Sequence, residues 1–363
     1  MAMPPPKSSN RRSVAALLRR EAREFITIRR SDRPWQFPVA VAVAVGIPVL
    51  LGAALGQMGL ATLAAIGAMA IVYVPRNALG HRIVVLMAVA FAMTVCYALG
   101  QLSQLVPAAR VPIIAVVAVV VTLGCRYFRV VPPGALFFVM AAAIGAYAPA
   151  QIADMPARLG IFALGTIGAV FVGFIYSAHI LRSRTPPPVK PPPDDMVAQT
   201  IDALIIGVFV GLSLAVAEMF AIAKPYWAPV SCLDVIQGLS LRAVWIRQAE
   251  RIVGTLIGLG LTWVLVTIAA DPWSIAIAII VLTFFIETAI VRHYAFAAMF
   301  ITPLTILLAE TSSPGDVTRS ALMTARFADT VVGSVAGLFG GVCLHNATLR
   351  RVLVRWLRTE PSR

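Results

Sequence analysis

No aspartate or glutamate falls inside any long apolar run in the first half of this 363-residue chain. Charge is scarce throughout. Asp, Glu, Lys and Arg make up 13% of residues, 60% are hydrophobic, and mean hydropathy is +0.88. A soluble domain carries about 25% charged residues, so this composition excludes one. Only four cysteines occur, Cys96, Cys125, Cys232 and Cys343, with no C-x-x-C or Cys/His metal spacing. They read as small apolar packing residues and not as a redox pair or metal site. The four histidines, His81, His179, His293 and His345, are scattered. No H-E-x-x-H, Walker A or G-x-S-x-G motif is present. The expectation is therefore no enzyme, no ATP-driven pump, no cofactor and no metal.

What the chain does have is apolar runs long enough to meet the roughly 20-residue requirement of a membrane helix. Twelve candidate spans follow: 37–56, 58–74, 83–102, 111–125, 132–149, 159–181, 200–222, 226–240, 252–270, 272–290, 294–309 and 327–346. Those at 111–125, 226–240 and 294–309 are the hardest to place. The first 33 residues are basic and lack a signal-type apolar core, so no cleavable leader is expected.

The net charge of +14 is explained by topology, not by nucleic acid. With a cytoplasmic N-terminus and twelve spans, 25 of the 30 Lys and Arg fall on cytoplasmic segments. The other face receives Arg110, Arg158, Lys224, Arg319 and Arg326. That is a strong positive-inside asymmetry. It predicts a multi-pass protein of the inner (plasma) membrane with both termini cytoplasmic.

The chain also repeats itself. Arg158-Leu-Gly-Ile-Phe-Ala-Leu-Gly165-Thr166 answers Arg326-Phe-Ala-Asp-Thr-Val-Val-Gly333-Ser334, 168 residues on, and Arg82-Ile83-Val84 answers Arg251-Ile252-Val253 at an offset of 169. A near-constant offset indicates a duplicated unit. Six spans per copy is an even number, so both copies enter the membrane in one orientation. The fold expected is all-α: two six-helix parallel repeats about a pseudo-two-fold axis along the membrane normal. The boundaries are 1–33, a basic cytoplasmic arm with an interfacial helix; 34–182, the first repeat; 183–197, a proline-rich linker favouring polyproline II; 198–346, the second repeat; and 347–363, a basic tail.

The second half holds the ionisable residues at membrane depth: Glu218, Asp234, Glu287 and Asp329, with Asp202 at the inner end of its span. A carboxylate at the bilayer centre costs about 2.5–3.5 kcal/mol on insertion scales, so it faces water or a partner. All four are candidates for proton coupling. Glu218 and Asp329 have Lys224 and Arg326 nearby as structural partners, and Glu287 has Arg292. Asp234 is deepest, with Ser231 and Gln237 as polar neighbours one turn away. Tyr226 and Trp227 suit stacking on an aromatic ligand or an interfacial aromatic belt. Arg247 and Arg251, one helical turn apart, suit binding of an organic carboxylate, although positive-inside topology also accounts for them. Gly254, Gly258 and Gly260 allow close packing. Thr302-Pro303 supplies a hydroxyl and a kink near mid-membrane.

The string Tyr226-Trp227-Ala-Pro-Val, Asp234-Val-Ile-Gln237, then Arg247-x-x-x-Arg251-Ile-Val-Gly254-Thr255 resembles the hallmark segment of the fusaric acid resistance and aromatic acid exporter family. Phe300-Ile-Thr302-Pro303 and Arg326-Phe-Ala-Asp329-Thr330 are similar to later motifs of the same unit. The resemblance covers about residues 200–345, and the first half looks like a diverged copy. It implies a six-helix unit, two units per working assembly, and export of aromatic or other organic acids. Candidate pathway residues are Asp234, Gln237, Tyr226, Trp227, Arg247, Arg251 and Thr302. The expectation is an efflux transporter for organic anions in a lipid bilayer, with proton coupling open. An anion channel-like pore and a non-transporting scaffold or assembly subunit are the alternatives. A periplasmic adaptor or a homo-oligomer is a partner to be tested.

Overall fold

A computed structural model describes residues 33–359 except 131–132, 149–150, 183–184, 190, 192, 194, 239, 269–270 and 313–318. The expected basic arm lies outside the described residues apart from Arg33. Among the described residues there is no strand. A backbone in hydrocarbon must satisfy its own hydrogen bonds, and a helix does so within one segment.

In chain order the helices are α1 (Gln36–Leu55), α2 (Met58–Ala68, extended by a 3-10 segment, Met69–Tyr73), α3 (Leu79–Ser103), α4 (Arg110–Tyr127), α5 (Leu136–Tyr147), α6 (Met155–Ile180), α7 (Met196–Met219), α8 (Trp227–Ile236), α9 (Leu241–Ile268), α10 (Pro272–Ala289), α11 (Tyr294–Ser312), α12 (Arg319–His345) and α13 (Ala347–Thr359). Eight of them, α1, α3, α4, α6, α7, α9, α10 and α12, are long and apolar enough to cross a membrane. Of the other apolar helices, α2, α5 and α8 are short, with 11, 12 and 10 residues, whereas α11 has 19. α8, with 10 residues, rises about 15 Å, half the hydrocarbon thickness.

Twelve spans were expected, several of them short. Among the described residues twelve apolar helices are found, of which α2, α5 and α8 are the short ones. The run at 111–125 is part of a full-length helix, whereas 58–74 and 132–149 are short. Apolar composition sets where helices lie, and proline and glycine set their lengths. Pro133 and Gly134, the latter at φ +57°, delay the start of α5 to Leu136. Pro229 does not break α8. It sits in the first turn, where its missing N–H costs nothing.

Each half has a short second helix, α2 and α8, while the fifth is short only in the first half, α5 with 12 residues against α11 with 19. In the first half α3 packs on α5 and α6, and α2 packs on α6. In the second half α9 packs on α11 and α12, and α8 on α12. Across the halves α4 meets α7, α10 meets α1, α5 meets α8, and α11 meets α2. Gly165 and Gly333, matched in the sequence, stand at two such crossings. A Cβ on Gly165 would lie 2.0 Å from the Ala64 carbonyl oxygen of α2, and one on Gly333 would lie 2.2 Å from that of Ala228 in α8. Only hydrogen fits there.

The outer faces of the long helices are apolar. On α3, Val84, Met87, Phe91, Val95, Leu99 and Leu102 are exposed at three- and four-residue spacing, a single helical stripe suited to lipid. Cys96, Cys125 and Cys232 are buried and all four cysteines are free. Asp271 caps α10, accepting from the amides of Trp273 at 2.9 Å and Ser274 at 3.2 Å. Ser274, through its side chain and then its amide, holds that carboxyl below its usual range. The proline linker is tied down: the Asn77 side-chain amide donates to the carbonyls of Pro187 and Pro188 at 3.0 and 3.1 Å.

Candidate functional site

The helices surround a cavity of about 1810 Å³. Tyr73 at the end of the α2 segment, Phe137 of α5, Asp234 of α8 and Tyr294 of α11 all line it. Small-ligand pockets run to about 300–1,000 Å³, so this space is a vestibule, larger than one small molecule requires. Among the described residues its wall carries eleven arginines, no lysine, and four acids, Asp202, Asp234, Glu250 and Glu287. Ten of those arginines belong to the set that charge asymmetry assigns to one face. Arg110, Arg158 and Lys224 of the opposite set do not line it, and Arg326 does.

The densest polar cluster joins α8, α9 and α11. Ser231 and Asp234 are one turn apart on α8, and Arg247 and Arg251 one turn apart on α9. Arg251, 4% exposed, donates from Nη1 to Asp234 Oδ2 at 2.8 Å and to the Tyr294 hydroxyl at 2.7 Å, and from Nη2 to Ser231 Oγ at 3.0 Å. Arg247 donates to Asp234 Oδ1 at 3.1 Å, and its guanidinium lies 3.5 Å from the centre of the Tyr294 ring. The Tyr294 hydroxyl donates to Asp234. Asp234 thus has both oxygens engaged by arginines. α9 approaches α11 closely enough for this because Gly258 leaves room: a Cβ there would lie 2.6 Å from the Met299 carbonyl and 2.7 Å from Thr302. Gly260, expected to help, has nothing within 4 Å.

The other candidates fall in different places. Tyr226, Trp227, Gln237 and Glu287 line the cavity. Gln237 Nε2 is buried without a hydrogen-bond partner. Glu287 pairs at 3.0 Å with Arg33, from the segment before α1, in place of the expected Arg292. Thr302 is buried, donates to the Ala298 carbonyl at 3.1 Å, and does not line the cavity. Glu218 accepts from the Tyr147 hydroxyl of the first half, and Arg110 lies 5.1 Å above the Tyr147 ring. Neither Glu218 nor Asp329 lines the cavity. Asp329 is fully buried and neither carboxylate oxygen accepts a hydrogen bond, so the expected bonded pair with Arg326 does not form. Arg326 instead stacks over Trp227 at 4.6 Å. Asp202 holds the halves together: Arg126 of α4 donates to it at 2.6 Å, and Arg350 of α13 lies 3.4 Å away.

Residues 203–340 match the family described as fusaric acid resistance protein-like. The Asp234–Arg251 cluster and Arg326 all lie within that fusaric-acid-resistance-like segment. The uncharacterized membrane protein YvaC of Bacillus subtilis (strain 168) is 35% identical over 138 residues, 37% of this chain. The chain covers 22% of YvaC's own length. No solved structure matches the chain. The long apolar helices and this likeness make the chain a multi-pass membrane protein.

Tyr294, Tyr147, Arg33 and Arg326 are site residues that sequence reasoning missed. For Tyr294 there was a signal: a tyrosine opening an apolar run directly after Arg292-His293. For the others the partners are remote in sequence.

Proposed function

We propose that this chain is a secondary transporter that exports organic anions from the cytoplasm through the arginine-walled cavity. The observation that carries the reading is the imbalance of that wall, eleven arginines against four acids. Low-dielectric walls lined with one sign of charge concentrate counter-ions. Guanidinium groups bind carboxylates through paired donors. Likeness to the fusaric-acid-resistance-like family agrees with efflux of such compounds.

The reading includes a topology. The two sets of six helices are parallel repeats about an axis along the membrane normal, with the second and fifth helices meeting at the axis. The reciprocal contacts across the halves support it. With both termini cytoplasmic, the cavity opens to the cytoplasm and is closed outward by the layer holding Tyr147, Glu218 and Asp329. Asp234 organises the arginines. Asp329 and Glu218, off the cavity and within that outer layer, are the proton carriers of choice, with Glu287 and Asp234 the alternatives.

Flux of labelled benzoate in proteoliposomes, with and without a pH gradient, tests the reading. Gradient-dependent flux is the expected result. Gradient-independent flux would make the protein a channel. No flux for any carboxylate offered would leave a scaffold.

A further inference from the structure

We infer that Arg326 is a second anion-binding station, at the closed end of the cavity, where a carboxylate would bind beside the face of Trp227. The inference rests on the cavity being an anion path, and four observations carry it.

Arg326 is 3% exposed and lines the cavity, yet its Nε and Nη1 have no hydrogen-bond partner. Arg251, by contrast, spends both terminal nitrogens on Asp234, Tyr294 and Ser231. Buried donors without acceptors cost free energy, and a bound carboxylate supplies acceptors in the geometry of the guanidinium fork.

Position separates the two stations. Leu344, near the end of α12, and Arg350, on α13, line the cavity. Arg326 precedes Leu344 by eighteen positions on α12, about 27 Å along the helix axis. Arg251 follows Arg242 by nine positions on α9, about 14 Å. An anion leaving Arg251 inward therefore meets Arg326 next.

The Arg326 guanidinium carbon lies 4.6 Å from the centre of the Trp227 ring. Trp227 and Tyr226 also line the cavity, with ring centres 5.2 Å apart, so an apolar surface adjoins the free donors.

Charge gives the last argument. Arg247 and Arg251 share the one carboxylate of Asp234, and Asp329, three positions after Arg326 on α12, accepts no hydrogen bond at either oxygen. Three guanidinium groups against two carboxylates leave one positive charge in a site of low dielectric. A monoanion neutralises it. Asp329 balances charge from outside the cavity without occupying the Arg326 donors.

The test is equilibrium binding of labelled benzoate to the purified full chain in detergent, with folding followed by monodispersity and melting. Arg326→Gln should weaken binding about tenfold or more, the scale of a lost charge-assisted hydrogen bond. Arg326→Lys should fall between, keeping the charge and losing the fork. Asp329→Asn should stay folded and bind at least as tightly, because a competing negative charge is gone. Unchanged affinity in folded Arg326→Gln, or in Arg326→Lys where the glutamine variant does not fold, overturns the station. So does an unfolded Asp329→Asn rescued by Arg326→Gln, which would mean that the two serve only each other. Chloride displacing benzoate at equal concentration overturns the carboxylate assignment. Binding that depends on Arg326 without any flux retains the station and removes the transport reading. Flux with Arg326-independent binding does the reverse.

Discussion

Arg251 and Asp234 meet at 2.8 Å across 17 positions of sequence, each with no more than 7% of its side chain exposed. Neither tolerates loss of the other. Removing one member of a buried pair strands its partner at about 3–5 kcal/mol. Asp234→Asn should therefore lower the melting temperature of the purified protein clearly, and adding Arg251→Gln should recover part of the loss. An Asp234→Asn protein that melts with wild type would show that the carboxylate anchors nothing, and would leave proton carriage as its role.

Arg247 should behave differently, because 34% of its side chain is exposed. Its ion pair is partly screened by water, and Tyr294 and Arg251 still hold Asp234. Arg247→Ala should leave melting nearly unchanged. It should weaken benzoate binding most at low ionic strength, where the field of the mouth reaches furthest. The measurement is affinity against salt for the variant and wild type. Parallel salt slopes would reduce Arg247 to a topogenic charge.

This cluster also marks how far the sequence could be read. Arg247 and Arg251 share a helix face by spacing, and Asp234 stood out as the deepest acid, so three members were legible. That they bond to one another was not, because spacing within a helix says nothing about which helix it faces. Tyr294 and Arg33 entered through contacts spanning 43 and 254 positions. The long helices were legible as apolar runs. The runs at 132–149 and 226–240 were overestimated, since hydropathy reports burial in apolar surroundings and not whether a segment crosses them. Gly165 and Gly333 were visible as an echo, and their shared close crossing gives the echo a physical cause.

Arg33 and Glu287 join the segment before α1 to α10 at 3.0 Å, with Glu287 6% exposed at its side chain. Arg33→Ala leaves a buried carboxylate without this partner and should destabilise more than Glu287→Gln, which removes the charge itself. The double variant should melt above Arg33→Ala alone. The comparison is a double-mutant cycle of melting temperatures. Additive losses would show that the pair contributes nothing as a pair.

Gly333 and Gly260 offer a matched contrast. A Cβ at Gly333 would meet backbone and side chain of α8 at 2.2 and 2.6 Å, whereas at Gly260 it meets nothing within 4 Å. Gly333→Ala should push α12 off α8 and lower the yield of folded protein. Gly260→Ala should leave yield unchanged or raise it slightly, since alanine favours a helix by about 1 kcal/mol over glycine. Equal yields of the two variants would contradict the close crossing.

The proposed topology makes the last test. Asp271 and Pro187 are both exposed, and charge asymmetry assigns them to opposite faces. In a background without the four native cysteines, an impermeant maleimide added outside intact cells should label Asp271→Cys and spare Pro187→Cys. Permeabilised cells should label both. The outcome bears on mechanism as well as orientation. The linker residues Pro186 to Pro188 line the same cavity as Arg247, Arg251 and Arg326, so whichever face Pro187 occupies is the face from which anions enter. Labelling of Pro187→Cys from outside would turn the arginine wall toward the exterior, and the same geometry would then serve uptake instead of export.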